Sequence, residues 1–592
     1  MVKESEYTIK PFYQGGYSTF SPTGYSGNIK TRDFGLTTDP RNANLIKEIS
    51  EKLSSGVKNI EVELISPQVV DSIPKQHFEE AKRLSELTGI DISVHGPVVD
   101  VAGITQQGWS EVNREASEVR VIDTLTKANE IKPGKNINVT FHSAEGIPGT
   151  EFETLDGERK AKRIIAIDRE TGKSITAIEK EEKFYPWTDH AKDSELIRKE
   201  NYTPEENIEM TNATQWDNGI TQLIMHQERA DEILRQNEPY IRHLLEGIDK
   251  GELKWTNLPP QQQEIFRHIQ NARAYTEDIH KQLNGMFSKA YKYGNEDQRK
   301  ILTKLSENFK KQMEIDNSPF GESRAINNFL MELKHPALAP EVFVPIEKFA
   351  IEQSSKTFGN AAFEAYKKYG TGAPIISIEN PPVGFALSTG EDLKNLVEAS
   401  RNEFVQNAVA SKKLSESEAK KVAEKLIGAT WDVGHINMLK KQGFEDKDII
   451  SESKKIAPYL KHVHFSDNFG LEHTELPMGM GNVPLKEIME KLGQKGFEAK
   501  KIIEASGWWQ HFRSSPVRET FEYIGSPIYS EGVAPYWNQN IGFQQGYGGD
   551  MGIYLPQINY QTFGGGFSQL PIELGGQRPG AQGGRMGGGG ME

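Results

Sequence analysis

Histidines and carboxylates recur at the ends of short apolar runs along the chain. Each of them alone has an ordinary explanation, such as a hydrogen-bonded histidine or a helix cap. Together they are hard to explain by packing, because burying unpaired carboxylates and imidazoles costs several kcal/mol each. Divalent cations remove that cost, so the pattern favours a metal site. The residues are His95, His142, Glu379, Asp432, His435, His464, His473, Glu475 and Glu504.

The residue types limit how a metal could be held. The chain has no cysteine, which excludes disulfides, thiolate nucleophiles, zinc fingers and iron–sulfur clusters. Any metal must therefore be bound by imidazole and carboxylate groups.

Eight β-rich runs that alternate with amphipathic helical stretches would bring these residues together. The alternation predicts a parallel α/β fold, and eight repeats favour a closed (β/α)8 TIM barrel over an open sheet. In such a barrel the strand ends converge on one mouth, so residues distant in sequence become neighbours. The runs are 33–38, 59–65, 91–97, 136–145, 373–382, 428–436, 460–467 and 499–507.

Segments of different composition interrupt and flank the barrel. We predict an irregular arm over 1–30, a first barrel part over 31–146 and a second over 341–524. A mainly helical insertion over 147–340 separates the two parts. A Gly- and aromatic-rich tail over 525–592 follows, and its end is expected to be disordered.

The insertion is expected to open with a β-hairpin that turns at Glu170–Gly172. Polar helical stretches follow at 221–248 and 295–315. Because βα loops emerge at the catalytic face, the insertion is either a substrate-covering lid or a structural appendage. The tail aromatics could stack on bases or fold back onto the body. Residues from 575 onward cannot offset their ordering entropy, so we expect them to be dispensable for catalysis.

Composition favours a cytoplasmic protein. No run of about 18 apolar residues is present, and the first residues lack the apolar core of a signal peptide. The net charge of −14 argues against a broad surface that coats nucleic acid. It leaves room for a local basic groove.

Seven strings resemble the xylose-isomerase-like barrel superfamily, and within it the endonuclease IV branch (AP endonuclease family 2). The resemblance covers about residues 31–515, apart from the insertion. It implies a zinc-dependent phosphodiesterase that cleaves DNA at abasic or damaged sites. The strings are SVHGP, VTFHSAE, ISIENPP, WDVGH, HVHFSD, PMGMGNVP and IIEAS.

The endonuclease IV branch carries three clustered zinc ions, and the resemblance implies ligands for each. The first ion would be held by His95, His142 and Glu379. Glu379 would bridge to a second ion, completed by Asp432, His464 and Glu504. We expect these six residues to converge in one pocket.

The third ion would be held by His435 with an Asp and a His from the loop after strand seven. Here those two positions are occupied by His473 and Glu475. The ligand types are retained but exchanged, so two or three zinc ions are expected.

A sugar isomerase or epimerase of the same superfamily is the alternative. It would act on a small sugar or sugar phosphate, with Glu379 and Glu504 moving a proton next to a carbonyl. One Mn²⁺, Mg²⁺ or Co²⁺ would be held by Glu379, Asp432, His464 and Glu504. The arginine that ketose epimerases carry six residues after the ligand histidine is here Gly470, which disfavours this alternative.

A non-catalytic barrel that binds a partner through its insertion and tail is a third hypothesis, disfavoured by the complete ligand ring. His462 shares a strand face with His464 and could compete as a ligand, but we expect it to lie deeper as a core residue.

Overall fold

The protein is described by a computed structural model over residues 34–53, 57–105, 107–144, 146–155, 158–174, 177–186, 197–252, 254, 258–505, 508 and 516–523. The predicted arm over 1–30 and the tail over 525–592 lie outside these residues. The chain forms two compact units. The barrel unit comprises Met1–Gly149, Glu153–Arg159 and Ala350–Glu592, and the inserted unit comprises Thr150–Phe152 and Lys160–Phe349.

Eight strands close the barrel unit. Each pairs in parallel with the next along the chain, and the last pairs with the first. The predicted (β/α)8 TIM barrel is therefore confirmed. The strands are β1 Phe34–Thr37, β2 Asn59–Glu63, β3 Asp91–His95, β4 Asn138–His142, β5 Ile375–Glu379, β6 Ile427–Asp432, β7 Leu460–Phe465 and β8 Lys500–Ile503.

Helices surround these strands. The helix Ile346–Tyr369 begins in the inserted unit and continues in the barrel unit. The other barrel-unit helices are Leu45–Leu53, Pro67–Ser72, Lys75–Thr88, Glu111–Ile131, Gly390–Ala410, Glu416–Leu426, Val433–Asn437, Asp446–Ile456, Leu485–Glu498 and Val517–Tyr523. Short 3-10 turns lie at Gly370–Gly372, Met438–Gln442 and Ala457–Tyr459, and two short paired strands at Ile104–Thr105 and Gly108–Trp109.

Alternation along each strand separates the outer packing from the barrel interior. On β6, Trp431 is fully buried and donates its Nε1–H to Ser453 Oγ of a surrounding helix at 3.1 Å. Thr430, one residue earlier, faces the other way and bonds Thr140 Oγ1 of β4 at 3.0 Å. The apolar face therefore packs against helices, while polar side chains fill the interior just below the strand ends.

The inserted unit contains short strands and long helices. Asp168 shapes the expected turn, because its carboxylate accepts the Glu170 N–H and the Thr171 hydroxyl, and Gly172 follows with φ 70°. Two strands, Glu151–Leu155 and Glu158–Ile164, belong partly to this unit and partly to the barrel unit. The others are Ala166–Asp168, Ile178–Glu179, Glu181–Pro186, Ile197–Tyr202 and Phe343–Pro345.

The inserted helices pack through an apolar cluster that includes Trp216, Ile220 and Leu330. A capping box of Thr203 and Glu206 begins the first of them. The helices are Pro204–Gln236, Glu238–Asp249, Pro260–Tyr293, Glu296–Ile315 and Pro319–Leu333, followed by a 3-10 turn at Pro336–Leu338. Within the described residues, no helix is both long and apolar enough to span a membrane.

Candidate metal centre

Glu379 lies where the ends of several barrel strands meet, and it is fully buried. Its Oε2 lies 3.1 Å from His95 Nε2 and 3.4 Å from His142 Nε2. The strand register explains the second contact, because Glu379 and His142 are direct partners across β4 and β5. The ligand atoms of these three residues lie within 4.8 Å of one another. We call them the His–His–Glu group.

The other oxygen of Glu379 faces a second set of ligands. Oε1 lies 2.8 Å from His464 Nδ1, and the same nitrogen lies 2.9 Å from Glu504 Oε2. Asp432 at the end of β6 is the register partner of His464. Glu379, Asp432, His464 and Glu504 bring their ligand atoms within 4.8 Å of one another. We call these four residues the four-ligand group.

Neighbouring polar residues hold Asp432 in place. Its Oδ1 accepts the His435 N–H at 2.7 Å and the Ser466 hydroxyl at 3.1 Å. Asn380, which follows Glu379, accepts the Asp432 N–H at 2.9 Å and donates to the Asp432 carbonyl at 3.1 Å. The side chain of Asn380 therefore fixes the ends of β5 and β6 relative to each other.

His435 meets His473 on another side of the centre. Their Nε2 atoms lie 2.8 Å apart, and His473 Nε2 lies 3.7 Å from Glu475 Oε1. His435 Nδ1 lies 2.7 Å from the Asn380 carbonyl, which can only accept a hydrogen bond. The Nε2 lone pair of His435 therefore points towards His473, the orientation of a histidine prepared to bind a cation.

Asp467 shapes the loop that carries His473. Its carboxylate accepts backbone N–H groups from Asn468, Gly479, Gly481 and Val483 at 2.8–3.1 Å. A Cβ on Gly481 would lie 2.3 Å from Asp467 Oδ1. The glycine lets the backbone approach the carboxylate, as expected for a loop that bends back towards the barrel mouth.

Burial and the neighbouring ionisable groups shift the pKa values of the carboxylates in this centre. Burial disfavours ionisation of Glu379, but its contacts with His464 and His95 outweigh burial and hold its pKa well below the usual range. The same balance, dominated by His464, sets the pKa of Glu504 to about 2. Burial and then the neighbouring carboxylates Glu504 and Glu379 raise the pKa of Asp432 well above its usual value.

The pKa values of two buried histidines, His95 and His435, are shifted in opposite directions. Burial opposes a charge on His95, yet Glu63 and Glu379 raise its pKa to about 10. Burial and the neighbouring His473 lower the pKa of His435 to about 3. The raised pKa values of His95, His464 and Asp432 favour their protonated forms, and a cation would displace such protons on binding.

The donor set fits divalent cations. Imidazole nitrogens and carboxylate oxygens are the ligands of Zn²⁺ and, with more oxygen, of Mn²⁺ and Mg²⁺. Glu379 presents its two oxygens to two different groups, as a bridging ligand would. The structure therefore brings the nine expected residues together in three sets. The His–His–Glu group and the four-ligand group share Glu379, and His435, His473 and Glu475 form a neighbouring cluster.

The sequence analysis missed two buried glutamates on β2. Glu61 Oε1 lies 2.8 Å from His464 Nε2, and Glu61 Oε2 accepts the Ser93 hydroxyl at 2.6 Å. Neither carboxylate oxygen of Glu63 has a hydrogen-bond partner among the described residues. Burial raises the pKa of Glu63 well above its usual value. Two glutamates spaced by two in an otherwise apolar strand were the available signal, because both face the same side.

His462 is close to Glu61 and His464. It is fully buried, and its Nε2 lies 2.9 Å from Glu61 Oε2. With His464 it forms a third set that also contains Glu61. His462 therefore contacts a residue that touches a ligand and is not itself in the four-ligand group.

Known proteins resemble this fold and parts of the sequence. Residues 397–524 match the family model described as xylose isomerase-like TIM barrel. An uncharacterized protein of Methanocaldococcus jannaschii is 31% identical over 110 residues, which are 18% of this chain and 36% of that protein. The chain thus matches little more than a third of that relative's length.

Two solved structures are also similar. A D-tagatose 3-epimerase-like protein has 12% identity and a TM-score of 0.36, covering 85% of this chain and 99% of its own. An L-ribulose 3-epimerase has 8% identity and a TM-score of 0.35, covering 87% and 96%. These scores are too low to carry an argument about activity. The strand pairing shows a closed TIM barrel, and residues 397–524 of it match the model described as xylose isomerase-like TIM barrel.

Proposed function

We propose that this barrel is a divalent-metal-dependent phosphodiester hydrolase that acts on DNA at abasic or damaged sites, as endonuclease IV does. The observation that carries the proposal is the His–His–Glu group beside the four-ligand group. One ion for a sugar reaction needs only the four-ligand group. His95 and His142 have no role in that reaction, yet their Nε2 atoms face the shared Glu379 at 3.1 and 3.4 Å.

Each expected ion would be held by its own set of residues. His95, His142 and Glu379 would hold one ion, and Glu379 with Asp432, His464 and Glu504 would hold a second. His435 and His473, with Glu475, would hold a third. Bound divalent ions would activate water and stabilise negative charge on phosphoryl and leaving-group oxygens.

The chain's own groups would orient substrate and move protons. Glu504 would take the proton from water, because its side chain is 14% exposed whereas that of Glu379 is fully buried. Glu379 is fully buried and would hold the two ligand groups in fixed relation. Asn380 and Ser466 keep Asp432 oriented, so that little reorganisation is needed when substrate binds.

A metal count combined with two activity assays tests the proposal. Purified protein should contain two or three zinc ions per chain and should cleave a duplex oligonucleotide at a single abasic site. Cleavage should stop after chelation and return with zinc. One exchangeable Mn²⁺ or Mg²⁺ per chain, together with ketose epimerisation and no cleavage, would reject the hydrolase.

His142→Gln separates the two chemistries more sharply. His142 belongs to the His–His–Glu group and not to the four-ligand group. In the hydrolase, this variant should lose about one ion and most of its cleavage activity. In a single-metal isomerase, it should keep its ion and its turnover. His280→Gln is a matched control, because His280 also pairs with a glutamate, Glu322 at 3.1 Å, and contributes no expected ligand.

A sugar isomerase or epimerase remains the second candidate. It is favoured by the four-ligand group, which is complete without His95 and His142 and places Glu379 and Glu504 on the two sides of His464 Nδ1. Two carboxylates around one cation suit proton transfer next to a carbonyl.

A further inference from the structure

The loop after β7 carries His473 and Glu475, and its backbone is held in an uncommon conformation. Glu475 has a φ of 45°, in the left-handed region that residues with side chains rarely adopt. Such a residue costs free energy and persists only where its surroundings hold it. Contacts elsewhere must therefore keep this loop in the conformation that places His473 beside His435.

One set of contacts lies within the loop. Leu476 and Asp467 exchange two backbone hydrogen bonds, each 2.8 Å long, and these close the segment that contains His473. The turn that follows is bound to the same residue, because the N–H groups of Gly479 and Gly481 donate to the Asp467 carboxylate at 2.8 and 2.9 Å. The turn and the His473 segment therefore share one anchor.

A second set of contacts comes from the helix Val517–Tyr523, which follows β8 in the chain. Thr520 is fully buried, and its Oγ1 accepts the Met478 N–H at 3.3 Å. The partly buried ring of Tyr523 packs against Gly479, where an added Cβ would lie 2.5 Å from ring atom Cδ2. A side chain at this glycine would collide with the ring, and the φ of 90° also favours glycine there. The helix therefore packs on the turn from outside the loop.

We propose that Thr520 and Tyr523 are positioning residues, which keep the loop after β7 docked at the metal centre. The helix contacts the turn, the turn is bound to Asp467, and Asp467 is paired with the segment that carries His473. Neither Thr520 nor Tyr523 is an expected ligand, so both act through the loop. The inference rests on the proposed function, since it concerns the third expected ion.

Zinc affinity at the third expected site tests the role. Wild-type protein, Thr520→Val and Tyr523→Leu are titrated with zinc in competition with a chromophoric chelator. An ion at this site binds only the docked loop, so its apparent affinity falls with the docked fraction. In each variant about one ion per chain should bind about 10-fold more weakly, and the ions at Glu379 should bind as in wild type.

Conservative variants separate positioning from a general loss of stability. Thr520→Ser keeps the hydroxyl and Tyr523→Phe keeps the ring, so both should bind zinc as wild type does. Thr357→Val is a matched control, because Thr357 is also a fully buried residue of the barrel unit, and its hydroxyl donates to the Val101 carbonyl at 2.8 Å. Thr357→Val should lower the free energy of unfolding without weakening the binding of any ion.

Hydrogen exchange on metal-free protein gives a second measurement, which needs no bound ion. The Met478 N–H loses its acceptor in Thr520→Val, and the turn loses a contact that holds it in place. The amides of Met478, Gly479 and Gly481 should therefore exchange about 3–10-fold faster, as expected for the loss of about one hydrogen bond. Thr357→Val should leave the exchange of these amides at the wild-type rate.

Three outcomes would overturn the inference. The first is wild-type exchange and zinc binding in folded Thr520→Val and Tyr523→Leu, and the second is an equal loss in Thr357→Val. The third is faster exchange with unchanged binding of three ions, because the loop would then not limit the site. Faster exchange in the variants of a protein that binds only two ions would instead support the positioning role and reject the third ion. The two failures are therefore distinguishable.

Discussion

The two units satisfy their buried polar groups in different ways. In the inserted unit, two buried neutral side chains bond the backbone: Trp216 Nε1 donates to the Leu333 carbonyl at 2.9 Å, and Asn212 bonds both the N–H and the carbonyl of Phe343. At the barrel mouth, carboxylates and imidazoles crowd together, and Glu63 has no hydrogen-bond partner among the described residues. The first arrangement favours stability, whereas the second keeps charge available for a ligand.

Glu379→Gln gives the largest expected effect at the barrel mouth. The amide keeps the shape but removes the charge shared by the two ligand groups. Activity should fall by more than the about 100-fold typical of residues that only support a ligand. The free energy of unfolding of metal-free protein should fall, because the ionised carboxylate is stabilised by His464 and His95 and the amide is not. Normal turnover on an abasic-site oligonucleotide would remove Glu379 from the mechanism.

Trp216→Ala gives the largest expected effect on stability in the inserted unit. Removing a large buried side chain should lower the free energy of unfolding by about 3–5 kcal/mol, as measured by urea denaturation. Metal content should stay at the wild-type value. Trp216→Phe is the control: it keeps most of the packing and loses only the bond to Leu333, so its cost should be smaller. A change in metal content would contradict the expectation that Trp216 contributes to stability and not to metal binding.

His473→Ala should lower metal content by about one ion per chain and weaken phosphodiester cleavage. The ions at Glu379 should remain, since His473 belongs to neither of their ligand groups. His280→Ala, a comparably exposed histidine beside a glutamate, should leave the count unchanged. Unchanged stoichiometry in His473→Ala would argue against three ions and favour the sugar enzyme.

The effect of Glu63→Gln on stability depends on pH and is smallest at the acid end of the range. The folded-state pKa of Glu63 is raised, so the folded protein binds a proton that the unfolded chain releases above about pH 4.5. That contribution to stability is present below pH 4.5 and is lost as pH rises towards the folded-state pKa. With metal removed by a chelator, the free energy of unfolding of Glu63→Gln should therefore rise relative to that of wild type. The expected rise is up to about 1.4 kcal/mol for each unit of increasing pH. If the urea midpoints of wild type and Glu63→Gln differ by the same amount at every pH between 5 and 7.5, this expectation is wrong.

The sequence allowed the barrel and the ligands at the strand ends to be predicted together. His95, His142 and Glu379 each close an apolar run, and the barrel topology alone makes such residues neighbours. Glu61 and Glu63 escaped because they lie inside a run that otherwise looks apolar. Which oxygen of Glu379 faces which histidine depends on strand register, and the register follows from closure of the whole barrel.

The loop after β7 was partly predictable. The Gly479–Met480–Gly481 pattern predicts a turn, which can bring His473 back to the mouth. The role of Asp467 could not be predicted, because its N–H partners lie up to sixteen residues further along the chain and meet its carboxylate only once the loop has folded.

The contacts of Asp467 also affect how this loop can move. One carboxylate holds N–H groups at both ends of the segment from Asn468 to Val483, so releasing the side chain frees all of them at once. Opening is then collective, and hydrogen exchange at these amides should follow a single rate instead of fraying from one end. His473 would accordingly alternate between two states, docked beside His435 or withdrawn from it, without a graded series of positions in between.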